Sequence, residues 1–353
     1  MSLAAQDLDH VLAHAGPAWE HLRGSRIFIT GGTWFFGAWL LESFAWANER
    51  LGLKASACVL TRAPEAFGAR MPHLAANPSI QLHRGDMGSF EFPAVAFTHV
   101  IHAATETRLE IDQEHPLAVF ESNVAGTRRV LEFTRACGAS RILLTSSGAV
   151  YGRQPPDLPH IGEDYAGAPT TTEAKSGYGE AKRAAELLCA MYAQRHGFAA
   201  AIARCFAFVG PHLPLDANYA VGNFIRDALA GGPIRVSGDG TPYRSYLYAA
   251  DLAVWLWTIL CLGQSCRPYN VGSPEEICIA DVARTVARVA APDLEVCIAQ
   301  RAAPGSPCER YVPSVARAAT ELGLRPIVPL AEGIRRTLRW HSQLSSSADA
   351  AER

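Results

Sequence analysis

The chain has 353 residues, of which 49% are hydrophobic and 19% charged, with a formal net charge of −2. That is enough apolar material for one large or two ordinary buried cores, and the near-neutral balance argues against nucleic acid or an anionic membrane surface as the main partner. No apolar run approaches the roughly 18 residues that span a bilayer, and the first twenty residues lack the basic start and apolar core of a signal peptide, so a cytoplasmic protein is expected.

Segment 5–22 has helical spacing and no evident chemical role. Residues 26–30 read as a short buried strand, followed by the turn Gly31-Gly32-Thr33-Trp34-Phe35-Phe36-Gly37 and a helix over 38–50. Further strands are expected at 55–60, 80–83 and 100–104, then a helix over 118–137, a strand at 141–145, a Pro-rich loop at 154–169, a helix carrying Tyr178 and a strand at 200–206. Short apolar runs alternating with amphipathic helices predict an α/β fold, a Rossmann-type doubly wound parallel sheet. After Gly210-Pro211 the alternation weakens and Gly/Pro loops appear, which predicts a smaller interleaved α/β C-terminal lobe for substrate. The expected division is 1–206 plus about 245–274 for the sheet domain, 207–244 with 275–340 for the second lobe, and a frayed tail at 341–353. The nine cysteines form no Cys-x-x-Cys pair and the twelve histidines are dispersed, so reduced thiols and no metal are expected.

The strand–turn–helix at 26–50 is the arrangement in which backbone N–H groups at a helix N-terminus receive a dinucleotide pyrophosphate. Gly31 and Gly37 keep the turn tight, but Trp34 stands where a bare residue lets phosphates approach. Three readings of Trp34 stand: the indole turns outward and leaves the cofactor seated, it weakens affinity, or it blocks the site and leaves a degenerate, non-catalytic dinucleotide-binding protein. The second strand ends Val59-Leu60-Thr61-Arg62 without the carboxylate that would bind a ribose 2′-OH, so Arg62 points to the 2′-phosphate of NADP. The cofactor is read as NAD(P), with the balance toward NADP.

Tyr178 and Lys182 are four residues apart, on one helix face, and a nearby ammonium favours phenolate. That pair is a general acid/base for an alcohol or ketone, with a Ser147 hydroxyl to hold the same oxygen.

Together these motifs resemble the extended short-chain dehydrogenase/reductase family of nucleotide-sugar epimerases and dehydratases, over nearly the whole chain. The resemblance assigns the catalytic hydroxyl to Ser147 rather than Ser146, by offset from Val150-Tyr151-Gly152, and an ordering role to Asn123. It implies cofactor contacts from Thr33, Phe35 and Phe36 in the turn, from Asp86 and Met87 on the adenine side, from Ala103 and Ala104 as a ledge, and from Tyr178, Lys182 and Arg204 beside the nicotinamide. His102 is assigned only a backbone role. In the second lobe it implies substrate contacts from Asn223, from Val236 near the base, and from Arg244 and Arg310 on a diphosphate, whose oxygens suit an arginine fork. Asp251 reads as an N-cap.

The implied activity is hydride transfer at C4 of a nucleotide-diphosphate sugar, as a 4-epimerase or a 4-ketoreductase. Members that perform 4,6-dehydration carry Asp-Glu after the catalytic hydroxyl; Gly148-Ala149 here disfavours it, although Thr105, Glu106 and Thr107 offer polar groups from another loop. The family often pairs through the Tyr-x-x-x-Lys helix. Ala184, Leu187, Leu188 and Met191 form an apolar stripe on it, so a homodimer is expected.

Overall fold

The computed structural model describes residues 2–104, 115–217, 219–303, 305 and 308–351, with side chains described as far as 344. Strands β1 (Arg26–Thr30), β2 (Ser56–Thr61), β3 (Ile80–Arg84), β4 (His99–His102), β5 (Arg141–Ser147) and β6 (Ala199–Cys205) join strand Pro268–Val271 in one seven-stranded sheet. Its order is Pro268–Val271, β6, β5, β4, β1, β2, β3, and each neighbouring pair is parallel. The strands are short, apolar runs because helices cover both faces: Ile27, Ile29 and Ile101 face one core, Phe28, Val100 and Ile142 the other. Chain order reverses between β1 and β4, which opens a crevice beyond their carboxyl ends.

Most element bounds fall within two residues of expectation. The strand expected at 141–145 continues through Ser146 and Ser147, whose backbone pairs with Arg204 and Cys205 of β6. The strand expected at 100–104 stops at His102, because Ala103 and Ala104 turn against β1. The segment expected to fray is helical as far as Ala351, within helix Leu330–Ala351.

Segment 5–22 forms α1 (Ala5–His14) and α2 (Gly16–His21), which pack on helix Ala249–Leu262 with the Trp19 and Trp257 rings 5.2 Å apart. Asp7 accepts from Tyr248 (2.7 Å) and Arg336 (2.6 Å), while His10 and Asp251 share a 2.7 Å hydrogen bond. Asp251 is therefore not an N-cap: it lies in the first turn of its helix and also accepts from the Ile327 and Val328 amides. His10 and His14 stand four apart on α1, but no group of three His, Cys, Asp or Glu among the described residues could hold a metal. None of the described helices is long and apolar enough to cross a membrane.

The remaining short strands form small sheets of their own. Strand Tyr243–Arg244 lies between Ile277–Cys278 and Arg310–Tyr311, and strand Ile234–Val236 pairs with Val296–Ile298.

Candidate active site

The turn after β1 sits at the crevice. Gly31 has φ +75°, and a Cβ there would lie 2.4 Å from the backbone of Ala103 and Ala104. At Gly37 it would lie 2.3 Å from the Gly31 carbonyl and the Gly32 backbone. Both are glycine because the turn folds onto itself and onto the end of β4. Ala103 donates to the Thr30 carbonyl and Ala104 to the Thr30 hydroxyl, which closes the ledge against β1.

Trp34 precedes helix α3 (Phe35–Leu51) in an extended conformation, and its side chain is 53% exposed. The indole is turned to solvent and the backbone turn keeps its shape. Arg70, at the end of helix Pro64–Arg70, donates to the Thr33 carbonyl and holds its guanidinium carbon 6.0 Å from the Trp34 ring centroid. Arg62 is exposed just beyond β2, and Arg84 donates to its carbonyl. Asp86 is exposed and accepts from the Gly88 amide. Met87 packs on Gly126, where a Cβ would lie 2.4 Å from its terminal methyl.

At the end of β5 the Ser147 hydroxyl accepts from the Ala149 amide at 3.1 Å. The phenols of Tyr178 and Tyr311 lie close enough to Ser147 for its hydroxyl to draw each toward ionisation, against the stronger opposing effect of burial. Ser146 takes no part: its hydroxyl donates to Glu186 at 2.5 Å. Lys182, 3% exposed, donates to the Thr145 carbonyl at 2.9 Å and lies 5.9 Å from the Tyr178 ring centroid. Burial pushes the Lys182 ammonium down to about 8 and the Tyr178 phenol well up. Burial therefore dominates the phenol, and it shifts both groups toward their neutral forms without taking the ammonium's charge away near neutral pH. Asn123 is buried one helix away and donates to Val119 of its own helix. His102 is structural; its ring nitrogens bond the Thr30 and Thr127 hydroxyls at 2.9 and 3.0 Å.

Two expected contacts are placed differently. Arg204 makes a buried ion pair with Glu186 (2.7 Å) and donates to Tyr151 (2.9 Å), so its guanidinium is committed inside the protein rather than open to a nicotinamide. Val236 is 2% exposed in its strand and packs in the core. Asn223 turns its amide to the Ala217 and Leu215 carbonyls, at 2.9 and 3.2 Å. Thr105, Glu106 and Thr107 lie outside the described residues.

Arg244 and Arg310, distant in sequence, line one cavity of about 490 Å³ with Gly152, Arg153, Gln154, Lys175, Glu309 and Tyr311. Parallel pairing of Tyr243–Arg244 with Arg310–Tyr311 brings them together. Arg244 is paired with Glu309 at 2.8 Å and Arg310 with Glu276, so carboxylates already occupy the forks an anion would take. Sequence reasoning missed Tyr311, Arg153 and Lys175. A strand of two residues carries no periodicity, and only the run Arg310-Tyr311 beside an expected ligand hinted at the phenol. Tyr311 joins the two halves of the site, since it lines the cavity and its phenol oxygen lies over Gly148, the residue after Ser147.

A model of the NAD dependent epimerase/dehydratase family matches residues 27–272. UDP-glucuronic acid decarboxylase 6 of Arabidopsis thaliana is 32% identical over 309 residues, covering 88% of this chain and 86% of that one. The solved UDP-glucose 4-epimerase of Thermus thermophilus in complex with NAD is 27% identical, with TM-score 0.72 over 89% of this chain and 98% of that one. An epimerase of Methanothermobacter thermautotrophicus, 20% identical, shares the fold with TM-score 0.78 over 96% of this chain and 98% of that one.

Proposed function

The chain belongs to the NAD-dependent epimerase/dehydratase family, and from that premise we propose that it is a 4-epimerase or 4-ketoreductase of a nucleotide-diphosphate sugar. The observation that carries the reading is the convergence of Ser147, Tyr178 and Lys182 at the carboxyl end of β5, beside a cavity with four cationic side chains. The sheet domain (1–206 with 245–274) would hold the dinucleotide, and the remainder to 340 the sugar nucleotide.

A nicotinamide dinucleotide, when bound, supplies hydride uptake and return. The turn from Gly31 to Gly37 fits one, because Gly31 and Gly37 let it close tightly against the end of β4, Trp34 is turned outward, and its amides head helix α3. Thr33, Trp34, Phe35 and Phe36 would give it backbone contacts, Ala103 and Ala104 a ledge, and Asp86 and Met87 an adenine side. The absence of a carboxylate after β2, with Arg62 exposed there, supports NADP over NAD.

Tyr178 would take the proton of the C4 hydroxyl and return it; Ser147 would hold that oxygen. Lys182, whose ammonium lies 5.9 Å from the Tyr178 ring centroid, would favour the phenolate and hold a ribose hydroxyl, while Asn123 would fix the helix behind them. Arg244 and Arg310 would exchange Glu309 and Glu276 for the diphosphate.

Gly148-Ala149 supplies no acid/base pair, and the Tyr311 phenol fills the space over Gly148, which speaks against 4,6-dehydration. A second reading is favoured by the decarboxylase relatives. A uronic acid oxidised at C4 becomes a β-keto acid, which loses CO₂ without help from an acidic side chain.

The test is to incubate the protein with UDP-glucose, UDP-N-acetylglucosamine and UDP-glucuronic acid, each with NAD and with NADP, and to read products by NMR. A C4 epimer, or a 4-keto product with reduced dinucleotide (the reductase run in reverse), that disappears in Tyr178→Phe supports the proposal. A pentose with CO₂ selects the second reading; no conversion in any mixture, with dinucleotide bound, sinks both in favour of the degenerate one.

We also propose a homodimer through helices Pro116–Ala136 and Gly177–His196, on which Leu117, Leu187 and Met191 are 67%, 62% and 54% exposed. Light scattering of Leu187→Glu/Met191→Glu should read half the wild-type mass.

A further inference from the structure

The cofactor turn has a neighbour that its sequence motif does not include. Helix Pro64–Arg70 follows β2, the strand whose carboxyl end lies beside the adenosine ribose in doubly wound sheets. Its last residue, Arg70, returns to the turn and donates to the carbonyl of Thr33. Among the described residues, Thr33 is the only hydrogen-bond acceptor of Arg70 and no carboxylate pairs with it. Arg84, on the adjacent strand, is by contrast neutralised by Glu65. Arg70 is exposed, so an incoming anion can reach its guanidinium, and desolvation holds it below its ordinary pKa. A cation so placed gains from an incoming anion, and its fork matches phosphate oxygens. The exposed face of Trp34 stands 6.0 Å from it, and an indole face attracts and orients a guanidinium.

We propose that Arg70 is a cofactor-selecting residue that takes the 2′-phosphate of NADP, with the Trp34 indole as the platform that aims it. The inference rests on the dinucleotide reading above and gives Trp34 a use: the residue that crowds an ordinary turn supports the charge that reads the ribose. Arg62, on the exposed side of the same strand end, is then the outer of two cations rather than the sole selector.

The experiment titrates dinucleotide-stripped protein with NADP and with NAD, following tryptophan fluorescence and the heat of binding, in wild type, Arg70→Ala, Arg70→Lys and Trp34→Leu. The wild type should bind NADP about tenfold or more tightly than NAD. Arg70→Ala should lose about tenfold in NADP affinity while NAD affinity stays within about twofold, the signature of one charge-assisted phosphate contact. Arg70→Lys keeps the charge without the fork and should fall between, which carries the test if the alanine variant does not fold. Trp34→Leu should lower NADP affinity more than NAD affinity. A wild type that prefers NAD, or Arg70 variants that change both affinities equally or neither, overturns the proposal. A wild type that binds neither dinucleotide overturns the cofactor reading itself.

Discussion

Gly148 shows how a single missing side chain shapes the site. A Cβ added there would lie 2.6 Å from the Tyr311 phenol oxygen and 2.8 Å from the Phe206 ring, which itself packs 4.7 Å from the Tyr311 ring. Gly148→Ala should therefore push Tyr311 off Ser147 and lower turnover by about tenfold or more, at a stability cost of about 1–3 kcal/mol from overpacking. Pairing it with Tyr311→Phe should restore part of that stability but not the turnover; equal thermal melts for Gly148→Ala and wild type would refute the crowding. Ser147 was legible in the sequence because its offset from Val150-Tyr151-Gly152 is local. Tyr311 was not, because its place depends on a two-residue strand pairing with a distant one, a contact with no periodic signal.

At the scale of elements, β5, β6 and helix Gly177–His196 are joined by one polar network. Glu186 accepts from Ser146 and Arg204, Arg204 donates to Tyr151, and Tyr151 donates to Asn270 at 2.7 Å. Arg204 and Glu186 are 14% and 13% exposed, so removing the cation strands a nearly buried carboxylate. Arg204→Ala should destabilise the protein by about 3–5 kcal/mol, and Arg204→Met/Glu186→Leu should recover much of that loss in urea melts. A loss below about 1 kcal/mol would mean that water reaches Glu186 and the network is not holding the layers. The strands and helices of the sheet were legible because burial on two faces writes apolar runs into the chain. This network was not: Arg204 carried a motif resemblance to the cofactor side, and only the register Ser146 to Arg204 reveals that it faces Glu186.

For the molecule as a whole, acid stability is set by buried histidines. Burial pushes His99 down to about 4 and His102 down to about 3, so both stay neutral in the native state. The unfolded chain takes up their protons from about pH 6.5 downward, and the native state only near 4 and 3. Stability contributed by these two groups is thus complete above the unfolded value and falls on acidification, by up to ~1.4 kcal/mol per pH unit for each. Denaturant midpoints measured between pH 7.5 and 5 should fall, and His102→Gln should flatten the slope; a flat wild-type profile would contradict it. The docking of α1 belongs to the same scale. Asp7 is 2% exposed and paired with Arg336, so Asp7→Ala should cost about 3 kcal/mol, read as a lower melting temperature.

That pairing also has a consequence in time. Arg336 lies 329 residues after Asp7 in the chain. At roughly 5–20 residues per second, α1 emerges from a ribosome some tens of seconds before its partner helix exists. The apolar faces of α1 and α2, with Leu8, Val11 and Trp19, wait for helix Ala249–Leu262 to cover them, and until then they are what a chaperone at the exit tunnel would meet; the Asp7–Arg336 pair closes later still.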